Sequence, residues 1–158
     1  MTVESESTRK GSEKVELSEN IQRLAPNPEN LCFGCGGANE NGMLLTFEQD
    51  NERMRIRGTF RLGPRYQGGG GMAHGGIIAV LLDEAMGKVS RFSEERAVTA
   101  EMNIEYLKPV SVEQEIIVEG WQEDRQGRNR FNVGEIRNAD GVVLARGKAR
   151  FVVIHPRA

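Results

Sequence analysis

Several features that identify common protein classes are scarce or absent in this sequence of 158 residues. Its only cysteines, Cys32 and Cys35, are too close together for the disulfide framework of a small secreted protein. A formal net charge of -2 provides no electrostatic basis for binding nucleic acid or an anionic membrane surface. No stretch approaches the roughly 20 consecutive apolar residues of a membrane span, and the polar N-terminus lacks the apolar core of a signal peptide. We therefore expect a cytoplasmic protein with neither nucleic-acid nor membrane partners.

The length and composition of the chain predict one folded domain preceded by a tail. A domain of this size can bury roughly 70% of its unfolded surface, so it needs no metal or disulfide for folding. Residues 1–16 are rich in polar side chains and predict a mobile tail. The next segment, LSENIQRLAPNP, predicts a short helix that a serine caps and two prolines end. We thus expect a tail with a short helix over residues 1–25 and a single domain over residues 26–156.

The rest of the sequence contains one convincing long helix, over residues 75–92, between segments that alternate apolar and polar residues. Before the helix, MLLTFEQD and RMRIRGTFR predict a hairpin. After it, four segments alternate with period two and are separated by good turn sequences: AVTAEMNIEYL, EQEIIVEGWQED, RFNVGEIRN and VVLARGKARFVVI. This order predicts an α+β fold in which one antiparallel sheet wraps around the helix.

The helix carries two adjacent acids that a helical wheel separates. Glu84 has Lys88 at i+4, the favourable order for an ion pair, so we interpret it as a solvated residue. Asp83 projects away from the main apolar face, and none of its i±3 or i±4 neighbours is charged. It lies in a stripe of mostly small residues, which indicates contact with a partner chain or a ligand; an ordinary surface acid is the alternative. The apolar face comprises Ile78, Leu81, Leu82, Ala85, Val89 and Phe92, and the stripe comprises Gly76, Ala79, Val80, Gly87 and Ser90.

The sequence GGGGMAHGG leads directly into this helix. Gly75 and Gly76 leave backbone N–H groups unshielded in the first turn, where orphan donors and the helix dipole favour an anion or the oxygen of a polarised carbonyl. A P-loop is disfavoured because Ile77 and Ile78 stand where Lys and Ser or Thr are needed. A serine hydrolase is disfavoured because no G-x-S-x-G motif exists. An oxyanion site fits best, which makes both glycine N–H groups candidate substrate contacts.

The segments HGGIIAVLLDEAMG and AVTAEMNIEYLKPV, with CFGCGGANENGMLLTF upstream, resemble the hotdog-fold thioesterases of the phenylacetate-type and 4-hydroxybenzoyl-CoA branch. The resemblance covers roughly residues 30–154. It implies a hotdog fold and the hydrolysis of acyl-CoA to a free acid and coenzyme A, without a cofactor. It also implies four roles: Asp83 as nucleophile or general base, the Gly75 N–H as the donor that polarises the thioester carbonyl, His74 as support for the loop, and Thr99 in placing the attacking water.

The substrate contacts follow the family pattern less closely. Many members carry Asn or Gln six residues before the histidine, where this chain has Gly68; the neighbouring Gln67 is the candidate substitute. We expect the acyl group in an apolar slot between helix and sheet, lined by Met86 and by residues of a facing chain. We expect Lys108 and Arg91 to meet the phosphates of coenzyme A.

The spacing of Gly75 and Asp83 predicts a homodimer. Eight residues on one helix correspond to about 12 Å, too far for one thioester carbonyl to touch both groups. If both act on it, they come from different chains, and a two-fold dimer provides two equivalent sites. The sequence leaves open whether dimers pair into tetramers. Two other functions also stay open: a non-catalytic acyl-CoA binding or sensor protein, and a hotdog enoyl-CoA hydratase or dehydratase that would use His74.

The CFGC segment invites a zinc or a redox interpretation. Zinc needs four ligands, and the chain offers only His74 and His155 beyond Cys32 and Cys35, unless a dimer pools two pairs. A redox motif opens a helix after a strand, whereas GGAN follows here. We therefore expect no metal and interpret both cysteines as packing the N-terminal loop against the sheet.

Overall fold

A computed structural model of the chain describes residues 19–156, in which one α-helix lies against a seven-stranded antiparallel sheet. The helix, α1, spans Gly75–Lys88. The strands are β1 (Ile21–Leu24), β2 (Phe47–Asp50), β3 (Arg55–Arg61), β4 (Glu95–Tyr106), β5 (Glu115–Gln126), β6 (Asn129–Asn138) and β7 (Val143–Pro156). Their order across the sheet is β1-β2-β3-β5-β6-β7-β4. No helix within this range has the length and apolar character needed to cross a membrane.

The predicted α+β fold, a single antiparallel sheet with one long helix, is confirmed. The expected hairpin corresponds to β2 and β3, and the four alternating segments after the helix form β4 to β7. The α-helix ends earlier than predicted because Val89–Ser93 continue as a 3₁₀ helix. Glu94 then adopts a left-handed conformation (φ 52°), which turns the chain into β4.

The segment before residue 26 differs from the prediction. Where a short helix is expected, Ile21–Leu24 form β1, which pairs with β2 from Ile21 opposite Asp50 to Leu24 opposite Phe47. A helix this short is unstable by itself in water, whereas the edge of β2 offers backbone partners to an extended segment. The predicted helix is therefore wrong. The expected mobile tail, residues 1–16, lies outside the described residues.

The predicted apolar face of α1 packs on the sheet. Its members Ile78, Leu81, Leu82, Ala85 and Val89 are buried, and Phe92 is partly buried against them. A glycine of β5 permits the close approach: a Cβ on Gly120 would lie 2.5 Å from the carbonyl oxygen of Ala85. The helix backbone therefore contacts that strand directly, which fixes the position of α1 over the sheet.

Met86, which is expected to line the acyl slot, belongs to this core. Its side chain is completely buried. It faces glycines on two neighbouring strands, since a Cβ at Gly134 or at Gly147 would lie 3.1 Å from it. A side chain that fills the space above two glycines leaves no open slot at that place. The burial of Met86 argues against its expected place in the acyl slot, which stays a prediction.

Candidate active site

The first turn of α1 is capped by His74. Its backbone is extended (φ -62°, ψ 137°), and its Nδ1 accepts a hydrogen bond of 2.8 Å from the N–H of Gly76. Its own N–H donates to the Tyr66 carbonyl at 2.8 Å, which anchors the preceding loop. An Nδ1 that accepts leaves the proton of a neutral imidazole on Nε2. His74 therefore orders this turn through both its backbone and its ring.

Only one of the two glycine N–H groups in this turn is available to a ligand. The ring of His74 accepts the N–H of Gly76, which argues against the expected contact of that N–H with substrate; a substrate contact from Gly76 stays a prediction. The N–H of Gly75 has no acceptor within residues 19–156. The carbonyl of Gly75 accepts a 2.9 Å hydrogen bond from the hydroxyl of Tyr106, at the end of β4. Gly75 is thus held in place with its N–H free, at the helix terminus that favours an anionic oxygen.

A cavity of about 410 Å³ adjoins Gly75. Lys108, one of the two residues expected to meet the phosphates of coenzyme A, lines this cavity beside Tyr106. Its other lining residues are mostly apolar: Met72, Ala73, Ile78, Leu107, Pro109, Val110 and Ala145. The free N–H therefore lies at the margin of a largely apolar space.

Asp83 lies two turns further along α1 and is half-buried. The hydroxyl of Thr99, on β4, donates a 2.7 Å hydrogen bond to its Oδ1. A second cavity, of about 400 Å³, adjoins this pair and is also lined by Arg91. Arg91 donates from its Nε to Gln49 Oε1 at 3.1 Å. The structure therefore brings Asp83, Thr99 and Arg91 together around one cavity.

The two cavities share no lining residue. Within one chain, Gly75, Tyr106 and Lys108 form one group, and Asp83, Thr99 and Arg91 form another. Three of the predicted catalytic residues, Gly75, Asp83 and Thr99, are thus divided between two half-sites, which we name the Gly75 half-site and the Asp83 half-site after these groups.

Gln67 and Gly68 line neither cavity. The side chain of Gln67 is exposed, and the N–H of Gly68 donates to the Met72 carbonyl at 2.7 Å. A Cβ at position 68 would lie only 3.2 Å from the Cα of His74. Glycine therefore lets this loop pass close to the helix cap, and a substrate contact from either residue stays a prediction.

A β-bulge in β4 lets two side chains of this strand, Thr99 and Tyr106, reach α1. The pairing of β4 with β7 shifts register between Thr99 and Glu101. Without an inserted residue, Thr99 and Tyr106 would point to opposite faces of the strand, because side chains alternate with period two. With it, Thr99 reaches Asp83 and Tyr106 reaches Gly75. Sequence reasoning missed Tyr106 because the bulge has no signal in the residue pattern.

Glu84 differs from its predicted solvated state. Its ion pair with Lys88 is present at 3.3 Å, but only 15% of its side chain is exposed. The Sγ of Cys32 lies 3.4 Å from Glu84 Oε1. Burial, and after it a hydrogen bond with Glu84, raises the pKa of the Cys35 thiol to about 12. The two thiols therefore contact the helix, where packing on the sheet was expected.

Residues 70–145 match the family model described as "Thioesterase superfamily". Acyl-coenzyme A thioesterase THEM4 of Rattus norvegicus is 33% identical over 103 residues, which cover 65% of this chain and 44% of the relative. The Mus musculus protein of the same name is 33% identical over 98 residues, 61% of this chain and 42% of the relative. The chain spans less than half the length of these relatives.

Solved structures with the same fold carry related descriptions. A crystal structure of a thioesterase superfamily protein superposes with a TM-score of 0.69 and 30% identity, over 74% of this chain and 57% of that one. A hypothetical thioesterase with coenzyme A from Streptococcus pneumoniae gives a TM-score of 0.63 at 21% identity, over 66% and 84%. The E. coli PaaI protein, from the phenylacetic acid degradation operon, gives 0.62 at 17%, over 66% and 75%. Residues 70–145 thus match the thioesterase superfamily, and residues 19–156 have the hotdog fold of these proteins.

Proposed function

We propose that the chain hydrolyses acyl-CoA thioesters to a free acid and coenzyme A. The observation that carries this proposal is the 2.7 Å hydrogen bond from Thr99 to Asp83 beside an open cavity. A half-buried carboxylate on a rigid helix, held by a hydroxyl, is suited to attack a carbonyl or to take a proton from water. Thioester hydrolysis also needs a donor for the developing oxyanion, and the free N–H of Gly75 is such a donor.

The similar proteins support the substrate class. The curated relatives are named as acyl-coenzyme A thioesterases, and the Streptococcus pneumoniae protein was crystallised with coenzyme A. Two variants of that bacterial protein replace an aspartate and a threonine that lie 16 positions apart. Asp83 and Thr99 have the same separation of 16 residues. This agreement supports the assignment of Asp83 and Thr99 to one functional unit.

The complete site needs a second copy of the chain. Gly75 and Asp83 are separated by about 12 Å along α1, and they adjoin different cavities. Strand β4 ends the sheet and pairs with β7 along one edge. Its other edge therefore carries backbone groups that can pair with another strand.

A two-fold axis at the middle of β4 joins the two half-sites. Antiparallel pairing of two β4 strands about an axis through Asn103 sets Met102 of one copy opposite Ile104 of the other. Because the bulge inserts one residue between Thr99 and Glu101, Thr99 of one copy then lies opposite Tyr106 of the other. The Asp83 half-site of each copy then adjoins the Gly75 half-site of its mate, which gives two identical sites per homodimer.

In this composite site, the Gly75 N–H of one copy polarises the thioester carbonyl and Asp83 of the other acts on it. The carboxylate either attacks the carbonyl carbon, forming an anhydride that water hydrolyses, or takes a proton from a water that attacks directly. In both routes the carbon–sulfur bond breaks and coenzyme A leaves as a thiol after protonation. Lys108 and Arg91, one from each half-site, carry the positive charge suited to the phosphates of coenzyme A.

The cap formed by His74 disfavours the hydratase alternative. That reaction would need the imidazole to move a proton, but its Nδ1 accepts from the N–H of Gly76 at 2.8 Å. A neutral ring bound in this way has no basic nitrogen left over.

Thiol release from a panel of aryl- and alkyl-acyl-CoAs tests the proposal. We expect turnover of at least one member, a fall of at least about 100-fold in Asp83→Asn, and no change in Asp140→Asn, a matched control in an exposed turn. Binding of acyl-CoA without thiol release from any member would identify a binding protein instead. Hydration of an enoyl-CoA that depends on His74 would identify a hydratase.

A further inference from the structure

The loop that carries Cys32 and Cys35 is a compact turn. The N–H of Cys32 is bound by Asn30 Oδ1 at 2.7 Å, and the N–H of Gly36 is bound by the Cys32 carbonyl at 2.8 Å. A Cβ at Gly36 would lie 2.4 Å from the Cys32 nitrogen, so this turn closes only with glycine there. The backbone therefore holds the two thiols on one side of the loop.

This loop is fitted against α1 at Glu84. A Cβ on Gly34, between the two cysteines, would lie 2.6 Å from the Cδ of Glu84. The absence of a side chain at Gly34 thus lets the carboxylate approach both thiols. One ligand atom from each of Cys32, Cys35 and Glu84 lies within 4.8 Å of the others.

We propose that Cys32, Cys35 and Glu84 bind a divalent transition-metal ion of the zinc class. Zinc binds sulfur at about 2.3 Å and carboxylate oxygen at about 2.0–2.2 Å with tetrahedral geometry, which separates the two ligand atoms by about 3.5 Å. The observed separation of Cys32 Sγ and Glu84 Oε1 is 3.4 Å. The cavity of about 400 Å³ that Cys35 and Glu84 line leaves space for water as the fourth ligand.

Lys88 supports Glu84 as a ligand through one oxygen. Its Nζ lies 3.3 Å from Oε2, whereas Cys32 contacts Oε1, so the two carboxylate oxygens have different partners. A group that holds the free oxygen of a ligating carboxylate orients it toward the metal. Two thiolates and one carboxylate carry three negative charges, which one divalent ion and the Lys88 ammonium neutralise. The ammonium also lies 5.8 Å from the ring centre of Phe47, which keeps it at the site.

Metal binding here would tie the loop to the helix that carries Asp83. Glu84 follows Asp83 directly in the helix. On its other side, the loop is bound to the segment before β2 by hydrogen bonds from the N–H of Met43 to the Phe33 carbonyl (2.7 Å) and from the N–H of Leu45 to the Gly34 carbonyl (2.9 Å). The ion would therefore stabilise the position of α1 without touching the substrate. Binding would release the thiol protons, since the ligating form of cysteine is the thiolate.

Titration of the reduced full chain with Co²⁺ after treatment with a chelator tests this site. We expect one ion per chain, a thiolate-to-cobalt charge-transfer band, and a higher melting temperature in the presence of Zn²⁺. Cys32→Ser and Cys35→Ser should each abolish the band, and Glu84→Gln should weaken binding at least about tenfold. Glu94→Gln, an exposed carboxylate close to the same helix, is the matched control and should bind as the wild type does.

The wild-type protein alone can overturn the inference, so it does not depend on how the variants fold. Wild-type chain that takes up no cobalt or zinc after reduction contradicts it. The same holds if the two cysteines are isolated as a disulfide and are then reduced. Uptake that persists in both cysteine variants also contradicts it. The readout is independent of thioester turnover, so an inactive protein that binds metal would refute the proposed function and leave this site intact.

Discussion

The two half-sites on α1 are made of different parts. In the Gly75 half-site the proposed donor is a backbone group, an N–H left free at the helix end beside a mostly apolar cavity, and the Tyr106 hydroxyl holds the carbonyl of the same residue. In the Asp83 half-site the groups are side chains, a carboxylate and a hydroxyl beside a cavity that charged residues also line. An oxyanion donor is most effective where water is excluded, whereas a carboxylate that activates water needs access to it. The comparison teaches that one chain carries two different groups, which the proposed homodimer would combine through strand pairing.

The largest effect should come from Asp83. Asp83→Asn keeps the hydrogen bond to Thr99 but removes the base or nucleophile, so kcat/KM for acyl-CoA should fall about 100- to 10,000-fold. Thr99→Val should lower it less, because the carboxylate is still present. The double variant should be no slower than Asp83→Asn, since the two residues act as one unit. If the double variant is slowed by the product of both single effects, the two residues act independently, which contradicts their assignment to one unit.

Gly75 provides the next largest effect and a clean comparison between two substitutions. Gly75→Pro removes the N–H at the first helical position, where proline is tolerated, and His74 already has the extended backbone (ψ 137°) that a following proline requires. We expect a fall in kcat of about 100- to 1,000-fold. Gly75→Ala retains the N–H, and its Cβ would lie an ordinary 3.5 Å from the Tyr106 hydroxyl, so it should lose much less. Equal losses in both variants would show that space at this position matters, and that the donor does not.

Tyr106→Phe should have a moderate effect on turnover, and it tests how the Gly75 half-site is held in place. The variant removes the 2.9 Å hydrogen bond to the Gly75 carbonyl while the ring stays. Loss of one such hydrogen bond corresponds to about 1 kcal/mol, or about fivefold. If Tyr106 positions Gly75 for the transition state, kcat should fall and KM should change little; a change in KM alone would indicate substrate contact instead.

The smallest effect concerns stability near the Asp83 half-site. Hydrogen bonds from Arg130, at 2.6 and 2.8 Å, are the main cause that lowers the pKa of Glu95 below its ordinary value. A lowered pKa contributes stability that is present above the unfolded-state value of about 4.3 and is lost as the pH falls through the folded-state pKa. Urea unfolding should therefore show Glu95→Gln less stable than the wild type at pH 7, with a difference that shrinks in acid. The exposed neighbour Glu94 supplies the control, because Glu94→Gln should show no such trend.

Local patterns were enough to predict the helix, its apolar face and the lack of charged residues three or four positions from Asp83 on the same helix. These features depend on residues within one or two turns of each other, and the wheel distinguishes Asp83 from Glu84 for that reason. Local patterns also predicted a free N–H donor at the start of the helix. They did not predict that the ring of His74 would accept the N–H of Gly76.

Features that depend on distant pairing could not be predicted. Cys32 and Glu84 are 52 residues apart, so their contact follows from how a loop docks on the helix. The burial of Met86 depends on strand registers that set Gly134 and Gly147 beneath it. Strand β1 exists because β2 offers an edge, which overrides the local preference of a short polar segment.

The most direct test of the composite site mixes two inactive chains. Asp83→Asn and Gly75→Pro protomers, dissociated and reassociated in equal amounts, should form mixed dimers in which one of the two sites has both groups intact. Half of the dimers would then carry one working site, so the mixture should recover about a quarter of the wild-type rate. A mixture no more active than its separate components, although mixed dimers form, would contradict a site shared between two chains.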